Sequence, residues 1–176
     1  MARLTPSNYK PILQYHFIVE FLGQSADSKF GIGDLELAQD AQNYAKGSDL
    51  PSVDNNPISV EYGNTYMWVK GKTRWNNITM QFYSLSEPDT NKKLWDYLNV
   101  HQTVTDGKDQ FKKDYIGDLS IKLLNPTETE VGKWKLINAF VANVNWGSVD
   151  WGGEEVIQPE ITFVYDYAEW TSKELA

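Results

Sequence analysis

Four carboxylates near the end of the chain, Glu154, Glu155, Glu160 and Asp166, stand among Trp146, Trp151 and Trp170. Paired acids beside tryptophans suit glycan hydrolysis, where one carboxyl protonates the leaving oxygen and the other acts as base or nucleophile. The plainer reading is a polar strand face whose acids are simply solvated, and it is the stronger. Metal chemistry finds no support: His16 and His101 are the only histidines, 101 − 16 = 85 positions apart, with no second His or Cys at ligand spacing. "FGIGD", Phe30 to Asp34, has G-x-G but neither the third glycine nor the βαβ context of a dinucleotide site, and reads as a loop turn. There is no Walker loop and no G-x-S-x-G elbow. No catalytic residue, cofactor or metal is therefore expected.

The acids must be carried by strands. "QPEITFVYDYAEW", Gln158 to Trp170, alternates from Glu160 to Tyr167, with Ile161, Phe163, Tyr165 and Tyr167 on one face and Glu160, Thr162, Val164 and Asp166 on the other. "YHFIVEFL", Tyr15 to Leu22, alternates in the same way, as do "NITMQFYSL" through Ile78, Met80 and Phe82 and "DLSIKLLN" through Leu119, Ile121 and Leu123. "ISVEY" and "YMWVK" flank a Gly63-Asn64 turn and predict a hairpin over 58–70. "SEPDTNKKLWDYLNV" changes period: Ser86 can cap, Pro88 sits in the first turn, and Leu94, Trp95 and Leu98 form one apolar stripe, predicting a helix over 87–99. Residues 24–57 are polar and read as an extended arm or loop insertion. One helix among many strands predicts a mainly β protein, a β-sandwich or partly open barrel with one flanking helix.

At 176 residues the chain, 1–176, is expected to form one domain. Seven Trp and ten Tyr favour strands and interfaces. Charge is 16 − 24 = −8 with no basic stripe, which argues against tight binding to nucleic acid phosphates. Without cysteine, disulfides and thiolate chemistry are excluded. No segment reads as a signal peptide or approaches the ~18 apolar residues of a membrane span, so synthesis and folding in a cytoplasm are expected.

Two segments together resemble the tail tube proteins of contractile-tailed bacteriophages. The first is "LPSVDNNPISVEYGNTYMWVKGKTRWNNITMQFYSLSEPDTNKKLWDYL", Leu50 to Leu98; the second runs from "DLSIKLLNP" through "WKLINAFVANVNWGSVDWGGEEVIQPEITFVYDY", Asp118 to Tyr167. Gly23 to Asp49 is longer than the family's pattern. The resemblance implies a β-sandwich with an outlying helix, assembled as hexameric rings whose inner sheets close into one β-barrel around a channel. The rings stack inside a contractile sheath, pierce the host envelope and conduct DNA without specific binding. Implied partners are further copies of the chain, the sheath protein and a baseplate tube initiator. The implied location is the virion tail, assembled in the host cytoplasm.

On that basis Glu160, Thr162 and Asp166 are expected to line the channel. Ile58, Val60, Tyr62, Tyr66, Met67, Trp68 and Val69, on both faces of the hairpin, are expected to pack on a neighbouring subunit. The helix is expected outside the tube, with Asp89, Lys92, Lys93 and Asp96 facing solvent or sheath. Alternatives are a baseplate tube initiator, a type VI secretion tube protein and, from another class, a glycan-binding β-sandwich.

Overall fold

The computed structural model describes residues 12–22, 44–87, 89–101 and 112–172, except for the side chains of 93, 96, 97, 99–101, 113 and 114. Its strands are β1 (Phe17–Leu22), β2 (Ala45–Ser48), β3 (Val53–Asp54), β4 (Ile58–Tyr62), β5 (Thr65–Val69), β6 (Arg74–Trp75), β7 (Ile78–Phe82), β8 (Gly117–Leu124), β9 (Glu130–Asn145), β10 (Glu160–Val164) and β11 (Tyr167–Ser172). Helices α1 (Thr90–His101) and the single turn α2 (Lys112–Tyr115) complete the described elements. None of the described helices is long and apolar enough to cross a membrane.

Period-2 alternation builds the core. β7 buries Ile78, Met80 and Phe82 and turns Thr79 and Gln81 away, while β10 buries Ile161 and Phe163 and turns out Glu160, Thr162 and Val164. β1 and β8 do the same from the opposite layer with Val19, Phe21, Leu119 and Ile121. The Phe21 and Phe163 rings meet across the layers at 5.9 Å. The protein is thus mainly β, a sandwich with α1 at its flank.

The strand order β1-β8-β9-β10-β7-β2, with β11 also on β9, is one path folded into two layers. The fold lies in β9. Its residues 132–137 pair β11, and residues 140–145 pair β10. Between them Asn138 takes φ 55°, a left-handed conformation that Asn tolerates better than most side chains.

The expected closing strand therefore breaks. β10 ends at Val164, the backbone N–H of Asp166 donates to the Ile137 carbonyl at 3.1 Å, and β11 starts afresh on the other half of β9. Ile161, Phe163 and Tyr165 are buried, but Tyr167 is exposed, since the alternation does not carry across the corner.

Residues 24–43 of the expected arm 24–57 lie outside the described residues, as does "FGIGD". The rest of it is not a loop. β2 pairs β7, β3 pairs β6 and β4 pairs β5 in nearly one register, Ser48↔Met80, Val53↔Trp75 and Tyr62↔Thr65, so the 58–70 hairpin is the tip of a ribbon running from Ala45 to Phe82. A joint interrupts it at 55–57 and 70–73. There Asn56 has φ 42°, and a Cβ on Gly71 would lie 2.1 Å from the Asn56 carbonyl oxygen, so only glycine fits.

The helix starts later than the predicted 87–99 and runs to His101. Asp89, not Ser86, caps it: its Oδ1 accepts from the Lys92 N–H at 3.0 Å. Leu94 is buried and Leu98 half-buried as expected, whereas Trp95 is exposed and leans on Trp146, ring centroids 6.3 Å apart.

Phe163 is fully buried at the centre of the sandwich. Phe163→Ala is expected to cost about 3–5 kcal/mol, read as a lower denaturant midpoint in urea unfolding of dispersed subunits.

Candidate functional site

Two surfaces carry the functional residues read from the sequence: the outward face of β10 with its neighbours, and the hairpin tip. On the first, Glu160 stands between Gln81 of β7 and Asn145 of β9, and Thr162 between Thr79 and Asn143. Gln81 Nε2 donates to Glu160 Oε1 at 2.7 Å. The strand partners of Glu160 and Thr162 are thus Asn, Gln and Thr, while beside them Asp49 accepts from the Thr79 N–H at 3.1 Å and Lys46 donates to Gln158 Oε1 at 2.6 Å. The opposite layer differs, since Glu20 pairs Lys122 and Asp118 pairs Lys135 at 2.9 Å on its outer side. The hydrogen bond to Asp118 holds Lys135 above the ordinary lysine value.

Asp166 does not share the strand face of Glu160 and Thr162. It sits at the corner after β10, where Asn138 Nδ2 donates to Oδ2 at 2.8 Å and Lys112 Nζ lies 3.0 Å from each carboxylate oxygen. Both donors favour the ionised form and hold the carboxyl below its ordinary value of 3.8, Asn138 first and Lys112 second. Asp118 braces the same bend, its Oδ1 accepting from the Asn138 N–H at 3.2 Å. The sequence showed Asp166 only as an acid among aromatics; its partners lie 28 and 54 positions away.

The hydrolytic grouping does not assemble. Glu160 and Asp166 flank opposite ends of β10, Glu154 and Glu155 are exposed on the loop before it, and Trp170 stacks on Trp134 in the other layer at 5.1 Å. No cluster of three or more metal-ligating side chains occurs among the described residues.

At the hairpin, Gly63 takes φ 62° and closes the two-residue turn between β4 and β5. Ile58, Val60, Tyr62, Tyr66, Met67, Trp68 and Val69 are all exposed, Tyr62 by 72% and Trp68 by 64%, and the Tyr66 and Trp68 rings meet edge-on at 5.6 Å. An isolated two-stranded ribbon is marginal in water, and a monomeric protein seldom exposes this much contiguous apolar surface. On α1, Asp89 and Lys92 are exposed, whereas the side chains of Lys93 and Asp96 lie outside the described residues.

A further surface escaped the sequence reading. The loop 146–158 fully exposes Trp151 and largely exposes Val149 and Val156, next to the Trp95 and Trp146 pair. "GSVDWGGEEV" has no period to reveal which way its apolar residues point.

Residues 13–169 match the family described as T4-like virus tail tube protein gp19. No curated protein sequence matches the chain. Among solved structures, a chain of the anti-feeding prophage tube terminating cap is similar with TM-score 0.70 and 19% identity, covering 98% of this chain and 100% of that one. A chain of the anti-feeding prophage baseplate, 6-fold symmetrised, gives TM-score 0.69 at 15% identity, covering 95% and 99%. One from the PVC extracellular contractile injection system, its sheath-tube complex in the extended state, gives 0.61 at 18% identity, covering 93% of each. At these identities the likeness is one of fold.

Because the folded value of Asp166 is depressed, the stability it adds is present above about pH 4 and drains away as pH falls through that value. Asp166→Asn is expected to lower the melting midpoint modestly at neutral pH, since the carboxylate is 42% exposed, and the two proteins should converge in acid. A gap that persists at low pH would assign the corner's strength elsewhere.

Proposed function

The chain belongs to the T4-like virus tail tube protein family, structural subunits and not enzymes, and from that premise we propose that it forms hexameric rings stacked into a hollow conduit inside a contractile sheath. The hairpin is the observation that carries the reading, because its exposed apolar residues on both faces need another copy to cover them. Among the described residues the sheet path has β1 at one edge and β2 at the other. Joining sheets around a ring removes such edges, which otherwise invite uncontrolled pairing. The solved chains of similar fold come from a tube terminating cap, a six-fold symmetrised baseplate and a sheath-tube complex, in keeping with this kind of assembly.

In this arrangement the outward face of β10 and β7 lines the channel. Glu160 and Asp49 repeat in every subunit against one Lys46, an acidic lining that repels DNA, whose charge density is one per ~1.7 Å, and so keeps it from sticking. Thr162 faces the same space. Asp166 adds less to this field, as Lys112 and Asn138 engage it. The helix α1, with Asp89 and Lys92 exposed, faces outward towards the sheath. Assembly takes place in the host cytoplasm, a baseplate initiator starts the tube, and the finished structure is part of a virion tail that passes DNA. The likeness to a baseplate chain favours a second reading, the tube initiator itself. Long tubes formed by the purified protein alone would reject it.

Negative-stain microscopy of the purified protein is expected to show rings and tubes. Trp68→Glu should weaken the subunit contact by about 2 kcal/mol or more, leaving folded subunits by circular dichroism and few tubes. Normal tubes from this variant would remove the hairpin from the interface. Glu160→Lys should leave rings intact and slow DNA delivery by virions that carry it; delivery at the normal rate would exclude the electrostatic lining.

A further inference from the structure

A cleft of about 1050 Å³ opens between the two layers, lined by Ile12, Phe17, Leu50, Tyr83, Ile121 and Leu123 together with the whole of β2. It is the open side of the sandwich, because β1 and β2 are the two edge strands of the described path and both contribute to its walls. Around it Tyr15 is exposed by 71%, Leu50 by 49% and Ile12 by 45%. Lys46 and Asp49 are its two charged residues, one of each sign. Both are engaged inside the subunit, Lys46 with Gln158 and Asp49 with the Thr79 N–H, so an occupant is selected by apolar contact and not by charge.

The chain carries such an occupant next to the opening. Ile12 stands in the wall, so the residues before it start out from the cleft. They hold Leu4 and Tyr9 and no acid. Tyr9 is three residues from Ile12, a reach of about 10 Å, so its ring has the opening within range. Pro6 and Pro11 disfavour a helix and remove two ladder donors, which suits a segment that covers a strand edge without becoming a permanent strand of the sheet. A short tether holds the segment at an effective concentration in the ~mM range, an advantage that a separate copy lacks in dilute solution.

We propose that residues 1–11 of the same chain, led by Tyr9, fill this cleft in the free subunit and withdraw from it when a ring closes. The docking stands apart from the tube reading above; the withdrawal rests on it. While in place the segment shields the edges of β1 and β2, which otherwise invite uncontrolled pairing. A neighbour that joins its sheet to either edge has to displace it, so the same contact that protects the subunit also delays assembly.

Chymotrypsin tests the docking. Proteolysis follows the population of the open form, so dispersed subunits are expected to be cut after Tyr9 at least about tenfold more slowly than a synthetic peptide of residues 1–14. Leu50→Asp, a change on the exposed part of the wall, should restore the peptide's rate. Equal rates for unaltered subunits and peptide, or a Leu50→Asp protein that stays protected, would overturn the docking.

The chain has no cysteine, so Ser7→Cys with Ser48→Cys offers one defined pair across the cleft. Oxidation of dispersed subunits is expected to close a disulfide within one chain. A disulfide only between chains, or none, would give the cleft to a second copy or to residues 23–43 and overturn the docking. The oxidised protein should form no tubes and regain them on reduction; tubes from it while still oxidised would overturn the withdrawal and leave the docking standing. Unaltered protein that forms neither rings nor tubes would remove the tube reading, and the withdrawal with it, while the protease rates still decide the docking.

Discussion

One strand has to serve two layers, and the sandwich depends on how it bends. β9 pairs β8 and β11 along its first part and β10 along its last. A straight strand of that length would extend a single sheet. The bend at Asn138 instead turns the second part over the first, so that Leu136 and Phe163 bury from opposite sides of one core. Asp118 and Asp166 both grip Asn138, one through its backbone and one through its side-chain amide. Polar groups at such a corner lose their ladder partners, and these two carboxylates replace them.

What could be read from sequence follows from this constraint. Alternation exposed β1, β7, β8 and β10 because each is short, has one buried face and stays in one layer. The corner was invisible: across Asp166 the pattern of Tyr165 and Tyr167 continues unbroken on paper, although the backbone changes layer between them. The ribbon was read as three separate pieces since Asn55, Asn56 and Pro57 form a typical loop signature, and only the pairing of residues on either side reveals one register. The helix start moved because Ser86 and Asp89 are both good caps, and local sequence does not rank them. Of the candidate site, Glu160 and Thr162 share a sheet face as alternation implied. The 146–158 loop, lacking any period, gave no sign of its exposed side chains.

The two layers also differ in chemistry. The outer side of β1 and β8 carries the ion pairs Glu20–Lys122 and Asp118–Lys135, while on the β7 and β10 side Glu160, Asp49 and Lys46 bond to amide groups instead of to one another. Exposed ion pairs add little stability, so the contrast bears on what each face meets. Neutral amides and hydroxyls suit a surface that is wetted and released easily.

The ribbon's continuity with the sheet has a mechanical side. β7 is at once the return strand of the projection and a partner of β10 within the sandwich. Tension or thrust along the projection therefore reaches the body parallel to β7, sliding it against β2 and β10. In that direction the cross-strand hydrogen bonds, which lie perpendicular to the strands, are strained together and share the load. A pull across the strands would instead open them one after another. The joint at Asn56 and Gly71 is the weak point of this line, where pairing stops for a few residues, so an excessive force would bend the projection there before it disturbed the core.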